Sequence, residues 1–273
     1  MRATVLVDNI GMGGLCGEWG LSIHIQHDGH VILLDTGASD LFAKNAAALG
    51  LDLAAVEYGV LSHAHYDHAD GMGAFFAVND RAAFYLRAGA RENCFAVKEH
   101  GLEYIGIRRG TLKKYRDRIV FAEGVCELCP GAWLLPHAAA GLSEIGEKAG
   151  MYVKDGFLRP RRPDDFAHEQ TLVLALESGG LAVLSSCSHG GVPNILREVR
   201  AAFPEKTVRA LIGGFHLYET APEEVRALGR ELAASGVETI VTGHCTGQAA
   251  YELLRQELGA GVRQMHAGLV LEL

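Results

Sequence analysis

Six consecutive residues constrain this chain more than any other stretch: His63-Ala64-His65-Tyr66-Asp67-His68, one residue after the short apolar run Val60-Leu61. Imidazole and carboxylate are the donors that zinc and related divalent ions take. Four such side chains in six positions are hard to read as a solvated loop. A strand ending near Ser62 would turn His63 and His65 to the same side, because extended chains repeat every two residues. Asp67 and His68 then fall on the turn and the start of the next helix, displaced towards a second ion. Gly71 and Gly73 are expected to let the backbone crowd close to that site. The segment therefore implies a metal centre, binuclear and hydrolytic.

The rest of the composition limits what such a centre can serve. The chain has 273 residues, enough for one large or two small domains. Hydrophobic residues make up 49% and charged ones 21%, the balance of a soluble globular protein. A net charge of −8 gives no electrostatic footprint for nucleic acid. The basic stretches Arg108–Arg118 and Arg159–Arg162 read as solvated loops, or as places that capture an anionic substrate. No segment has the length of a membrane-spanning helix. The first residues read as a strand and are too short and polar for a signal peptide. Cysteines stand singly at 16, 94, 126, 129, 187 and 245, and Cys126-x-x-Cys129 has no partner pair. Free thiols and a cytoplasmic location are the expectation.

The periodicity divides the chain into three parts. Strands are expected at 4–7, 21–26 and 31–35, with Asp28-Gly29 as the turn of a hairpin. A helix follows over 41–49, then the strand 56–62 that feeds the histidine segment. Residues 88–168 hold four of the prolines and most of the basic residues, and read as a cap-like insertion of short strands and loops. The last third alternates regularly. Strands 171–177 and 181–186 form a hairpin, and strands 208–212 and 237–242 alternate with helices 193–202, 222–234 and 247–257. Strand 269–273 closes an edge. One domain spanning 1–273 is expected, of α+β class, with two sheets face to face and helices outside.

Polar clusters recur at the strand ends. They are Asp35-Thr36-Gly37, Ser186-Cys187-Ser188-His189-Gly190-Gly191, Gly214-Phe215-His216 and Gly243-His244-Cys245, and His168-Glu169-Gln170 precedes strand 171–177. Sheets hold loop residues rigidly at such ends, which is why active sites gather there. A lone histidine after a strand is more often structural. Several of them, joined to the His63–His68 segment, point to one site.

In order and content, Leu33-Leu34-Asp35-Thr36-Gly37, Ser62–His68, Ser185–Gly191 and Thr242–Gly247 resemble the metallo-β-lactamase superfamily over essentially the whole chain. Val7-Asp8-Asn9, Glu18-x-Gly20, His168-Glu169-Gln170 and Cys187-Ser188-His189-x-Gly191-x-x-Asn194 are similar to its dihydropterin phosphate synthase group of methanopterin biosynthesis. The resemblance implies an αββα sandwich with mixed sheets and two divalent ions, zinc first, manganese or iron otherwise. His63 and His65 would hold the first ion, and Asp67, His68 and His244 the second, with Asp35 orienting a ligand from behind. The superfamily usually carries a bridging Asp where Cys187 stands, so either Cys187 or, preferably, His189 completes the centre. By order, His168 matches a third superfamily histidine. Trp19 stands where relatives carry His, at the pocket rim. His100 and His137 are expected at the surface.

The expected chemistry is hydrolysis of a small anionic substrate, a phosphodiester or a dihydropterin-type phosphate ester. Asp67 would orient the attacking water and His216 would donate a proton or contact substrate. Ser188, Asn194 and the Gly190-Gly191 amides would hold a phosphate at a helix N-terminus. Lactone or thioester hydrolysis, iron-dependent redox chemistry and non-catalytic metal binding are the competing classes. A homo-oligomer is compatible with the chain. Gly11-Met12-Gly13-Gly14 lacks the spacing of a dinucleotide fingerprint.

Overall fold

Alternation of apolar residues along the strands settles how the layers stack. The computed structural model describes residues 1–156 and 158–273. The first seven-stranded sheet runs Val270–Glu272, Arg2–Val7, Ser22–His27, His30–Leu34, Tyr58–Val60, Ala83–Arg87, Ile119–Ala122. The second runs Val262–Gln264, Thr239–Thr242, Val208–Gly213, Leu181–Leu184, Gln170–Ala175, Ala132–Pro136, Cys126–Cys129. Ile23, Ile25, Ile32 and Leu34 of the first sheet meet Leu134, Leu172, Leu174, Leu184 and Ile212 of the second in one buried cluster. The alternate residues point outward. Leu33 packs with Phe42 and Phe75 of the helices on the first sheet. Val173, Val183 and Leu211 pack with Ile195, Val225 and Leu254 of the helices on the second. A strand with two apolar faces needs cover on both, and helix–sheet–sheet–helix is the arrangement that provides it. Each of these large side chains contributes about 1.5–3 kcal/mol by leaving water.

The expected element order holds through the last third. Helices Val192–Ala202, Pro222–Ala234 and Gln248–Leu258 separate strands that pair in parallel, while Gln170–Ala175 and Leu181–Leu184 form the antiparallel hairpin. Val270–Glu272 is an edge strand, as expected.

The middle segment departs from the reading of a cap. Ile119–Ala122 closes one edge of the first sheet, and Cys126–Cys129 with Ala132–Pro136 closes one edge of the second. Among the described strands of this segment, Cys94–Lys98, Gly101–Tyr104, Met151–Val153 and Arg162–Pro163 leave the sandwich, as a separate four-stranded sheet. Its residues Ala96, Lys98, Tyr104 and Met151 form a wall of the cleft described below. No helix among the described residues is long and apolar enough to cross a membrane.

Candidate metal centre

The strand before the histidine segment is shorter than its pattern suggests. It ends at Val60, so His63 and His65 lie on a loop rather than on a pleated strand. That loop is held from elsewhere. Asp35 Oδ1 accepts the Ser62 amide at 2.7 Å, and His65 forms an isolated bridge with Gly106. The short helix Tyr66–Ala69 then carries Asp67 and His68, both buried. Gly71 allows the close approach expected of it: a Cβ there would strike the backbone oxygens of Thr36 and Ser39. Gly73 does not share that role, since a Cβ would meet only the Tyr115 hydroxyl, at 3.4 Å.

Besides the cluster of His65, Cys94, Asp164 and His168, in which His168 is already bonded to Asp164, two groups of donor atoms result. In the first, the rings of His63, His65 and His189 stand 4.5–4.8 Å apart. The Nε2 atoms of all three are buried without a hydrogen-bond partner. Burial lowers the pKa of His63 and His189 far below the usual value, and brings His65 down to about 3. The rings are therefore neutral. Ser62 Oγ donates to Asp35 Oδ2 at 2.7 Å and so accepts from His63 Nδ1 at 2.9 Å. That leaves a lone pair on His63 Nε2.

The second group is more polar. His68 Nε2 lies 3.1 Å from His244 Nε2, 3.2 Å from Cys187 Sγ and 3.5 Å from Asp67 Oδ2. Asp67 Oδ2 is 3.3 Å from His244 Nε2. The other ring nitrogens face acceptors: His68 Nδ1 meets Asp35 Oδ2 at 2.7 Å, and His244 Nδ1 meets Asn9 Oδ1 at 3.1 Å. In the neutral rings both Nε2 lone pairs thus point at each other and at a carboxylate. Burial disfavours charge on His68, yet Asp67 and then Asp35 outweigh it and raise its pKa to about 10. The pocket strongly favours a positive charge. Donors about 2.0–2.1 Å from one tetrahedral ion stand roughly 3.3–3.4 Å apart, which is the spacing found here. Orphaned buried nitrogens in the first group and converging lone pairs in the second both fit divalent ions. Cys187 belongs to both groups, its Sγ within 4.8 Å of donors in each.

Backbone strain concentrates on the same spot. Asp35, Phe166, Ser188, His216 and His244 all adopt positive φ, between 48° and 59°. Such conformations persist where the surroundings over-determine them, commonly at functional sites.

Other expected residues take different places. His168 stands near His65, but both ring nitrogens are engaged: Nδ1 accepts the Ala64 amide at 3.2 Å, and Nε2 meets Asp164 Oδ2 at 3.0 Å. Burial alone would raise the Asp164 pKa, but His168 holds it down to about 2. The expected phosphate cradle is filled from within. Glu169 accepts the amides of His189 and Gly190 at 2.9 and 3.1 Å. Ser188 Oγ donates to the Gly214 carbonyl and so accepts from Ser185 Oγ, and Asn194 Nδ2 donates to the Gly190 carbonyl. Folding the loop has thus used the Ser188 hydroxyl and the His189 and Gly190 amides, while Asn194 keeps one of its two amide hydrogens. His137 is buried, not superficial, between Glu198 and Thr171, whereas His100 is exposed.

His216 packs its ring 4.5 Å from that of His189. Burial and then His244 lower its pKa to about 4, so it is neutral at pH 7. That suits donation of a hydrogen bond better than release of a proton. Trp19 lies on the rim, its ring 5.2 Å from His244 and 5.6 Å from Tyr218. His65, Asp67, Cys187, His189 and His216 open into a cleft of about 540 Å³ that also carries Lys98. Three supporting residues had little sequence signal. Asp8 accepts the His244 amide, Phe166 stacks on His189 at 5.0 Å, and Cys245 lies against Cys187. Asp8 and Cys245 do stand at strand ends beside other polar residues; Phe166 has no such cue.

A sequence model described as the metallo-beta-lactamase superfamily matches residues 20–244. The chain is 27% identical to the 7,8-dihydropterin-6-methyl-4-(beta-D-ribofuranosyl)-aminobenzene-5'-phosphate synthase of Methanocaldococcus jannaschii, over 88% of this chain and 84% of that one. Among solved structures it is similar to Tm1679, described as a metal-dependent hydrolase of the beta-lactamase superfamily. That match has a TM-score of 0.84 at 31% identity, covering 100% of this chain and 99% of the other. Human tRNase Z, short form, shares the fold alone, with a TM-score of 0.55 at 13% identity over 100% of this chain and 99% of that one.

Proposed function

The chain belongs to the metallo-β-lactamase superfamily, and from its donor groups we propose a hydrolase with a two-ion centre acting on a small phosphate ester. The observation that carries this reading is the set of unpartnered, buried Nε2 atoms of His63, His65 and His189 beside the converging donors of the second group. In this reading His63, His65 and His189 hold one ion, Asp67, His68 and His244 the other, and Cys187 stands between them where a bridging Asp is usual. Zinc is the first choice, with manganese or iron as alternatives; a thiolate donor favours zinc or iron over manganese. Bound divalent ions supply Lewis acidity and bring the pKa of water towards neutrality.

The chain's own residues do the rest. Asp35 fixes one histidine of each group, His68 directly and His63 through Ser62. Asp67 orients the attacking water. His216, neutral, donates a hydrogen bond to the substrate oxygen that gains charge. Lys98 faces an anionic group of the substrate across the cleft. The phosphate in the name of the Methanocaldococcus relative supports the choice of substrate class.

The test pairs elemental analysis with turnover of bis-p-nitrophenyl phosphate and of a lactone and thioester panel. His65→Ala should lose bound metal and phosphodiesterase activity together. Full metal content in that variant would overturn the donor assignment, and turnover confined to lactones or thioesters would overturn the substrate class.

A further inference from the structure

Cys245 follows His244 directly, yet its side chain is absorbed by neither donor group. Its sulfur lies 3.4 Å from Cys187 Sγ and 3.7 Å from the Cys187 carbonyl. Both residues are buried, and both line the cleft, so a small solute reaches them from the substrate side. The approach is built into the backbone. A Cβ on Gly214 would stand 2.5 Å from Cys245 Sγ, so only glycine at 214 leaves room for that sulfur. Cys187 Sγ is at the same time 3.2 Å from His68 Nε2. No other pair of the six cysteines has its sulfurs in recorded contact among the described residues, and all six are free.

We propose that Cys187 and Cys245 form a reversible dithiol–disulfide pair inside the metal centre, closed by a peroxide. Cys187 attacks one peroxide oxygen; the O–O bond breaks, hydroxide leaves and takes up the Cys187 thiol proton, and Cys187 becomes a sulfenic acid. Cys245 then attacks that sulfur. The S–S bond forms, the S–O bond breaks, and the oxygen departs as water after taking the Cys245 proton. Two electrons pass from the two sulfurs to one hydrogen peroxide, giving two waters. Closing from 3.4 Å to about 2.05 Å requires the two side chains to turn towards each other, and draws Cys187 away from His68. The donor between the two groups is then lost, and activity falls until a thiol reductant reopens the bond. The pairing rests on the sulfur positions alone; only the loss of activity depends on the metal-centre reading.

The test treats the metal-loaded protein with hydrogen peroxide, in a Cys16→Ser background that removes the exposed thiol. Peptide mass mapping and thiol counting follow, before and after dithiothreitol. The expected result is a Cys187–Cys245 cross-linked peptide, two thiols fewer per chain, and recovery of both on reduction. In Cys245→Ser the cross-link should vanish and Cys187 should pass on to sulfinic acid, which dithiothreitol does not restore. The wild-type pairing is readable whether or not that variant folds. Cys187 reaching sulfinic acid beside a reduced Cys245 in the parent protein would overturn the proposal. So would the absence of any cross-link. A cross-linked protein with undiminished activity would leave the pair standing and overturn the role given to Cys187.

Discussion

The two donor groups sit side by side but are built on different principles. His63, His65 and His189 are neutral rings, with His63 bonded to Ser62, Phe166 stacked on His189 and no carboxylate among the donors themselves. In the second group Asp67 and His68 carry charge while burial keeps His244 neutral, and the two rings are held by hydrogen bonds to Asp35 and Asn9. The difference teaches how each would bind a cation. The second group attracts it by Coulomb energy in a dry pocket, the first only through lone pairs. A chelator should therefore strip the first group before the second.

The largest effect should come from breaking the first group alone. His189→Ala is expected to leave one ion per chain and to lower turnover by about a thousandfold or more, since water activation needs the intact centre. Elemental analysis beside steady-state rates checks this; two retained ions would end the assignment of His189. Next is His216→Ala, which lines the cleft and packs against His189 without being a donor of either group: metal should stay and kcat should fall about 10²–10³-fold. Loss of metal there would make His216 a donor. Asp35→Asn perturbs both groups at once, so ion affinity should drop about 10–100-fold at both sites. A chelator competition that shows one site weakened and the other untouched would contradict the Ser62 relay to His63.

The smallest effect on metal, and a separate one on stability, concerns His168. Asp164→Asn leaves a buried partner unmatched and should cost about 3–5 kcal/mol at neutral pH. The folded Asp164 pKa, about 2, lies below its ordinary 3.8. Its contribution is therefore complete above 3.8 and disappears as pH falls through about 2. Urea unfolding should show the gap between parent and variant closing over that window; a gap independent of pH would mean the pair is not ionic. Metal content should stay nearly unchanged, because neither ring nitrogen of His168 is free.

Much of the first half of the centre was legible because its donors are neighbours in the chain. His63, His65, Asp67 and His68 fall within six residues, and no fold is needed to see them converge. Among His168, Cys187 and His189 the sequence preferred His189 only because a thiolate is an unusual bridge. All three follow or precede strands of the second sheet, and sequence order alone favours His168 as the third histidine. What separates them is hydrogen bonding: Asp164 and the Ala64 amide take both nitrogens of His168, while His189 Nε2 is left bare. The supposed phosphate cradle failed for a related reason. Glu169, twenty residues before His189, already accepts the amides that seemed available.

Periodicity and the spacing of histidines, by themselves, determined the layered fold, the alternation of the last third and the gathering of candidate metal donors at the strand ends. Those features depend on local spacing and on which faces are apolar. The tertiary structure alone decided which donors are free, that Cys187 lies between both groups, and that Cys245 lies against it. Each of these depends on what a buried polar atom meets across the sandwich, and partners more than a hundred residues away leave no mark on local pattern.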